Sequence, residues 1–357
     1  MTIEHDPGPR ATGRTVSGVL TFVVGAAALT IVLGGVHAVS SIIGPVFLAL
    51  VITVTVHPAR RALERTRLPE WAASTIMLIA AYLLIVVMTL ALAVSVAQLA
   101  SLLPKYTSEF TATVNDAVTT LEGFGVDQEQ IDRVAAAIDP ARLVDLVTSI
   151  LGGTLGALTD VFFLFTVLLF MAFDTNAARR NLHLLGGRFG DVVTAVGHFA
   201  DGTRTYMVVA ATFGLIVAIV DGVALYVIGV PGAFVWAVLA FVTNFIPNIG
   251  FVIGLVPPAL IALLEDGPRL MIAVIVIYCV VNFVIQSIIQ PRVVGESVGL
   301  SPTLTFLSLV FWAWLLGPLG ALLAVPLSLL MKALLVEADP RLSWALPLIS
   351  GRPETSD

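Results

Sequence analysis

The sequence predicts an all-α, polytopic membrane protein, and three observations carry that prediction. The 357-residue chain is 58% hydrophobic and only 12% charged, against about 25% charged residues in soluble domains, and its mean hydropathy is +1.01. Six apolar stretches have the length of a membrane crossing, for which a helix needs about 20 residues. Two further apolar segments are too long for one crossing, and each is interrupted by a proline–glycine knot.

The six uninterrupted spans are Val16–Val36, Val39–Val56, Trp71–Val96, Leu155–Phe173, Tyr206–Ile228 and Leu270–Ile289. The first is longer than the apolar core of a signal peptide and a second span follows at once, so it reads as a retained helix. Lys and Arg in short loops set orientation. The loop after the second span holds Arg60, Arg61, Arg65 and Arg67; the region after the fourth holds Arg179, Arg180, Arg188 and Arg204. Both are expected inside. Between them, residues 99–154 hold Lys105, Arg133 and Arg142 against eight acids from Glu109 to Asp145 and are expected outside. Arg10 and Arg14 place the N-terminus inside; Lys332 and Arg341 place the C-terminus there too.

Residues 1–15 and 337–357 are thus expected as cytoplasmic tails, 16–98 as three transmembrane helices and 155–336 as the transport core. The stretch 99–154 is expected to form an external helical insert. Tyr106, Phe110, Val114, Val118 and Leu121 recur at helical spacing. Asp127 with Gln130 resembles a capping box, and Asp139-Pro140 has the form of a helix start. At this size the insert cannot bury a core alone, so it is expected to pack on the membrane domain or on neighbouring subunits.

The first interrupted segment, Val235–Leu264, breaks at Ile246-Pro247-Asn248-Ile249-Gly250; the second, Pro302–Leu335, breaks at Gly317-Pro318-Leu319-Gly320. A second proline follows each break, Pro257 and Pro326. Irregular backbone at membrane depth is tolerated only where protein or a water-filled cavity satisfies its polar groups. Paired, interrupted segments point to the binding site of a transporter. Each segment reads as a re-entrant hairpin or as a kinked span. As hairpins, they would leave Glu265 and Asp266 outside and Arg292 inside, in keeping with the charge rule, and would give a possible inverted repeat.

Polar residues within the spans nominate the path. Asn244 and Asn248 flank Pro247. Asn282, Gln286 and Gln290 recur every four residues and so share a helical face. Their amides suit an uncharged polar solute or a water path, or hydrogen bonding between helices. Asp221 is the one acid placed in mid-span; it reads as an ion-coupling site or as a position near the outer interface. Arg292, Asp160 and Asp174 read as interfacial charges, and His37, in the short external turn, as uninvolved. Pro247, Gly250, Pro257, Gly317, Pro318, Gly320 and Pro326 would shape the gates.

Other chemistry is not encoded in recognisable form. There is no G-x-x-x-x-G-K-[ST] phosphate loop, no H-E-x-x-H pair and no G-x-S-x-G elbow. Cys279 stands alone, so no disulfide framework is expected. No basic patch with interleaved aromatics suggests nucleic acid. Neither an enzyme nor a cofactor is expected.

Three runs carry a resemblance. Asn244-Phe245-Ile246-Pro247-Asn248-Ile249-Gly250, Gln290-Pro291-Arg292-Val293-Val294-Gly295-Glu296-Ser297-Val298-Gly299-Leu300-Ser301-Pro302 and Gly317-Pro318-Leu319-Gly320-Ala321-Leu322-Leu323-Ala324-Val325-Pro326 resemble, in order and spacing, the C-terminal signatures of the autoinducer-2 exporter (AI-2E) family. The resemblance implies a multi-pass bacterial inner-membrane transporter of a small polar solute or a monovalent cation, acting as a homo-oligomer. Members are named for autoinducer-2 export, and some are described as sodium/proton antiporters. Many carry a glutamate within the polar helix that precedes the proline matching Pro291; Ile285 takes that place here, which turns attention to Asp221. An exporter or facilitator is the leading reading. A Na⁺(K⁺)/H⁺ antiporter and a non-transporting membrane scaffold are the alternatives.

Overall fold

The computed structural model describes residues 18–65, 69, 72–91, 93–94, 97, 161–171, 174, 189–247, 249–290, 292, 300–339, 341–342 and 346–350. The external insert, residues 1–15 of the N-terminal tail, Asp160 and Asn248 lie outside them. Among the described residues every regular element is helical, and six helices are long and apolar enough to cross a membrane. The all-α polytopic class expected from the sequence is what the structure shows.

α1 (Gly18–Ala38) and α2 (Ser40–Glu64) are joined by a single turn residue. α3 is Ala72–Ala91 and α4 is Val161–Met171; Leu164 and Leu168 of α4 pack with Ala49 of α2 and with Leu78 and Ile85 of α3. α5 (Gly190–Val227) has 38 residues. It begins well before the Tyr206 expected from hydropathy, because Asp191, His198, Asp201 and Arg204 end the apolar pattern without breaking the helix. Its length of about 57 Å exceeds a bilayer core of about 30 Å. The acids, His198 and Arg204 occupy the half that the apolar pattern does not reach. Outward faces carry exposed apolar side chains such as Phe22, Ile31 and Phe162, a liability in water but suited to hydrocarbon.

α6 (Ala233–Thr243) and α7 (Gly250–Asn282) flank the first break. α7 runs into a π-helical turn, Phe283–Ile289, and is itself interrupted at Asp266-Gly267. Gly254 and Asn282 line one cavity, although a straight helix would hold them about 42 Å apart. The chain therefore folds back at Gly267. The first half of α7 also returns along α6: a Cβ on Gly254 would touch Thr243 Oγ1 at 3.0 Å, and a Cβ on Gly250 would lie 1.9 Å from the Thr243 carbonyl oxygen. The first interrupted segment is a helical hairpin.

The second follows the same plan. α8 (Pro302–Leu322) is capped by Ser301, whose Oγ accepts from Leu304 N, and is broken at Gly317. α9 (Ala324–Lys332) continues into a second π turn, Ala333–Glu337. Trp312 Nε1 donates to Ser328 Oγ at 3.0 Å, where a straight helix would separate the two residues by about 24 Å. A Cβ on Gly320 would lie 1.9 Å from the Trp312 carbonyl oxygen. Both folds that open on a Gly-Pro pair use a glycine in a region that is essentially glycine-only: Gly267 (φ 77°, ψ −166°) and Gly317 (φ 68°, ψ −149°). The last short helix is α10 (Leu346–Ser350).

α5 is the common support. It packs against α2, α6, α7, α9 and the second π turn. The first hairpin sits between α5 and the second half of α7, around Leu225, Trp236, Ala262, Val274 and Tyr278. The second sits on α5, α2 and α1, around Phe47, Val51, Phe199, Leu315, Leu323 and Val325. The hairpins thus share an internal design but have different neighbours.

Gly250→Ala and Gly320→Ala are each expected to destabilise the protein by about 3 kcal/mol or more, since the new methyl meets backbone that a rotamer change cannot move. Gly25→Ala in α1, which would meet nothing within 4 Å, is expected to stay within about 0.5 kcal/mol of the parent. Thermal unfolding in detergent separates the two outcomes.

Candidate functional site

The first break needs outside partners. Pro247 has no N–H, and the turn from Asn244 to Gly250 is closed by short-range bonds, Ile246 N to Thr243 O at 2.9 Å and Gly250 N to Ile246 O at 3.1 Å. The Phe245 carbonyl accepts from Tyr206 Oη of α5 at 2.9 Å. Asn244, the C-terminal cap of α6, donates through Nδ2 to the Ala210 carbonyl of α5 at 2.9 Å. Gly214 makes that approach feasible: a Cβ there would lie 2.8 Å from Asn244 Nδ2. Ala210 is about 26 Å along α5 from its end at Val227, so the break lies deep relative to that end.

The second half of α7 completes the site. Asn282 Nδ2 donates to the Tyr278 carbonyl at 2.9 Å. Gln286 Nε2 donates both to Asn282 Oδ1 at 2.8 Å and to Asn244 Oδ1 at 3.1 Å. Gln286 stands within the π turn, a local widening that recurs at functional positions. A single amide therefore ties the break of the first hairpin to α7 and orients two side-chain carbonyl oxygens.

These residues enclose a small cavity lined by Asp221, Thr243, Asn244, Tyr278, Asn282 and Gln286 together with Val217, Ala240, Phe251 and Gly254. Its free space is ≈ 10 Å³, at the lower limit for one water molecule. Asp221 is 0% exposed and Tyr278 1%. Among the described residues, both carboxylate oxygens of Asp221 and the Tyr278 hydroxyl are buried without a hydrogen-bond partner. Such groups are uncommon, because a buried polar atom left unpaired carries its full desolvation cost. Asp221 is about 9 Å from the end of α5, closer than mid-span, and is nonetheless fully enclosed.

Of the residues nominated by sequence, Asp221, Asn244, Asn282 and Gln286 come together here, with Pro247 and Gly250 forming the adjoining turn. Gln290 lies beyond the π turn and does not line the cavity. Pro257 stands inside the first half of α7. Gly317, Pro318, Gly320 and Pro326 belong to the second hairpin and shape that turn instead. Ile285, at the position where relatives were expected to carry an acid, is buried with Phe213 and Val217. Sequence reasoning missed Tyr278, Thr243 and Tyr206. Tyr278 was legible, being four residues before Asn282 on the same face; Tyr206 was not, because its partner is the Phe245 carbonyl, 39 residues away. His37, read as uninvolved, sits at the second break: its Nδ1 is 3.0 Å from the Leu315 carbonyl oxygen and its ring stacks on Trp314.

Comparisons with known proteins agree with this architecture. A family model described as AI-2E family transporter matches residues 22–338. The chain is 32% identical over 304 residues to the AI-2 transport protein TqsA of Escherichia coli, covering 85% of this chain and 88% of that protein. It is 30% identical over 329 residues to the putative transport protein YhhT of the same organism, covering 92% and 94%. It is 29% identical over 326 residues to the putative transport protein MT0215 of Mycobacterium tuberculosis, covering 88% and 87%.

A double-mutant cycle on Asn244→Ala and Gln286→Ala checks the junction. Each single change is expected to cost about 0.5–1.5 kcal/mol, the net worth of an ordinary hydrogen bond between half-buried groups, and the pair is expected to be non-additive by about 0.5 kcal/mol or more. Additive effects in thermal unfolding would separate the two residues.

Proposed function

This chain belongs to the AI-2E transporter family and is a membrane transporter; we propose that it is a secondary transporter or facilitator exporting a small polar solute of autoinducer-2 type across the bacterial inner membrane. The observation that carries the reading is the seam of neutral amides at the first break, where Asn244, Asn282 and Gln286 meet between α5, the hairpin and α7. Neutral amides match an uncharged, hydroxyl-rich solute, because they donate and accept without a fixed charge. The solute class follows the name of the E. coli relative.

The cavity accommodates one water-sized body, so an organic solute requires a wider state. Passage would follow from parting the first hairpin from α5. Among the described residues, Asn244 to Ala210 and Tyr206 to Phe245 are the polar ties that motion would break across the contact, and Gln286 ties the same turn to α7. Small residues admit close approach at two points of the contact, Gly214 under Asn244 and Gly222 under Ala237, while Leu225 and Trp236 pack across it and would have to rearrange on opening. Alternating exposure of a site at a broken helix is a recurring transporter design. In this reading a homo-oligomer with both termini in the cytoplasm carries one path per subunit, driven by a solute or ion gradient.

The test is flux of labelled autoinducer-2 through proteoliposomes. Asn244→Ala and Asn282→Ala are expected to reduce the rate by tenfold or more, equivalent to about 1.4 kcal/mol in the barrier, at unchanged protein content. Wild-type flux in both variants would remove the amide seam from the path.

A further inference from the structure

We infer that the cleft between the arms of the second hairpin is a binding site for one phospholipid acyl chain, entered from the surrounding bilayer. The site recognises the chain and not the head group. It is separate from the amide seam and goes beyond the transport reading.

The sequence places matched stripes on the two arms. Leu304, Ser308 and Phe311 recur at helical spacing on α8, and Ser328, Met331 and Leu335 do so on α9 and its π turn. The hairpin sets these faces against each other around a cleft of ≈ 370 Å³, within the range of about 300–1,000 Å³ for small-molecule sites. Trp312 Nε1, bonded to Ser328 Oγ at 3.0 Å, closes its inner end. Leu300 and Ile349 stand at the other end, where Ser301 N donates to the Ile349 carbonyl at 2.9 Å and holds α10 in place. From Leu304 to Trp312 the cleft follows α8 for about 12 Å, close to the hydrocarbon depth of one leaflet, about 15 Å.

The lining offers little to water or to a polar solute. The Ser308 hydroxyl donates to the Leu304 carbonyl. The Ser328 hydroxyl donates to the Ala324 carbonyl at 2.8 Å and accepts from Trp312. Lys332 lends its aliphatic stem to the wall, while its Nζ lies 3.2 Å from Glu337 Oε1. His198 Nδ1 lies 3.1 Å from the other oxygen of that carboxylate. With His198 neutral this group has no net charge, and so gives no preference to an anionic head group. Apolar cavities do not hold water, and an unfilled one forfeits the contacts its lining could make.

The rim decides the occupant. Leu307 is 58% exposed and Leu335 55%, so the cleft is continuous with the outward apolar faces that suit hydrocarbon. The residues after α10, Gly351–Asp357, include Arg352, Glu354 and Asp357 and would bring charge into an apolar space, which is costly. A lodged acyl chain would hold the arms at a fixed spread beyond the Trp312–Ser328 contact.

The experiment is photolabelling of the full-length protein in liposomes of phosphatidylethanolamine and phosphatidylglycerol at pH 8. The probe is phosphatidylethanolamine with a diazirine on one acyl chain, and labelled residues are mapped by mass spectrometry. The expected result is label on residues 304–311 and 328–336 that saturates at one lipid per chain as the probe fraction rises. It should exceed by about fivefold the label on Val276 and Val280 of α7, which are 53% and 55% exposed. Leu304→Trp, which fills the cleft, should cut the label about fivefold, and a phosphatidylglycerol probe should label the parent within about twofold. Label spread evenly over exposed apolar residues and rising without saturation would overturn the inference. A tenfold preference for one head group would overturn the assignment to the chain. In a Cys279→Ala background, disulfide cross-linking of two subunits through Leu335→Cys would give the cleft to a second copy and overturn it too. Should Leu304→Trp fail to fold, the distribution of label on the parent decides alone. No readout involves flux, so failure of autoinducer-2 transport leaves this result untouched, and the reverse also holds.

Discussion

A helix that breaks inside a bilayer must find protein partners for the backbone groups it releases, because hydrocarbon supplies none. This chain breaks its helices twice at Pro/Gly knots, and much of its architecture answers that demand. At the first break Tyr206 takes up the Phe245 carbonyl and Asn244 reaches the Ala210 carbonyl. At the second His37 stands against the Leu315 carbonyl and Trp312 crosses to Ser328. The partners of the first break come from α5, and α5 also packs against the second hairpin. One long helix therefore sets the placement of both interrupted segments.

Close approach is the other half of the arrangement. Gly250 and Gly320 each lie under a carbonyl of the opposite arm, so the arms pack tightly and the turn stays within the protein. Gly214 admits the Asn244 amide to the surface of α5. The amides that secure the break are also the groups able to recognise a polar solute. In the proposed reading structure and transport draw on the same residues, and the contact between α5 and the first hairpin is where a closed seam would become a path. The neighbouring cavity buries Asp221 and Tyr278, at the full desolvation cost of their polar atoms.

The membrane class, both interruptions and the shared face of Asn282 and Gln286 were legible in the sequence because each is a local pattern: hydropathy, a Pro/Gly knot, a spacing of four. The reach of α5 was not, since Asp191, His198 and Asp201 end the apolar pattern without ending the helix. Hairpin or kinked span was undecidable locally; it is settled by Trp312 meeting Ser328 and by Gly254 sharing a cavity with Asn282. The work of His37 and Tyr206 is equally non-local, because their partners are backbone carbonyls that any residue could provide. Gln290 shows the opposite failure: its spacing is right, but it falls past the π turn and away from the cavity.

The central claim is that the amides at the first break face a path open to water in part of the working cycle, and do not merely join helices. Cysteine reactivity tests it most directly. In a Cys279→Ala background, Asn282→Cys and Gln286→Cys would be treated in membranes with a charged, membrane-impermeant thiol reagent, alongside Val280→Cys at an outward-facing position. The account predicts modification at 282 and 286 and none at 280. Residues 282 and 286 as inert as 280 would contradict it and reduce the amide seam to structural glue.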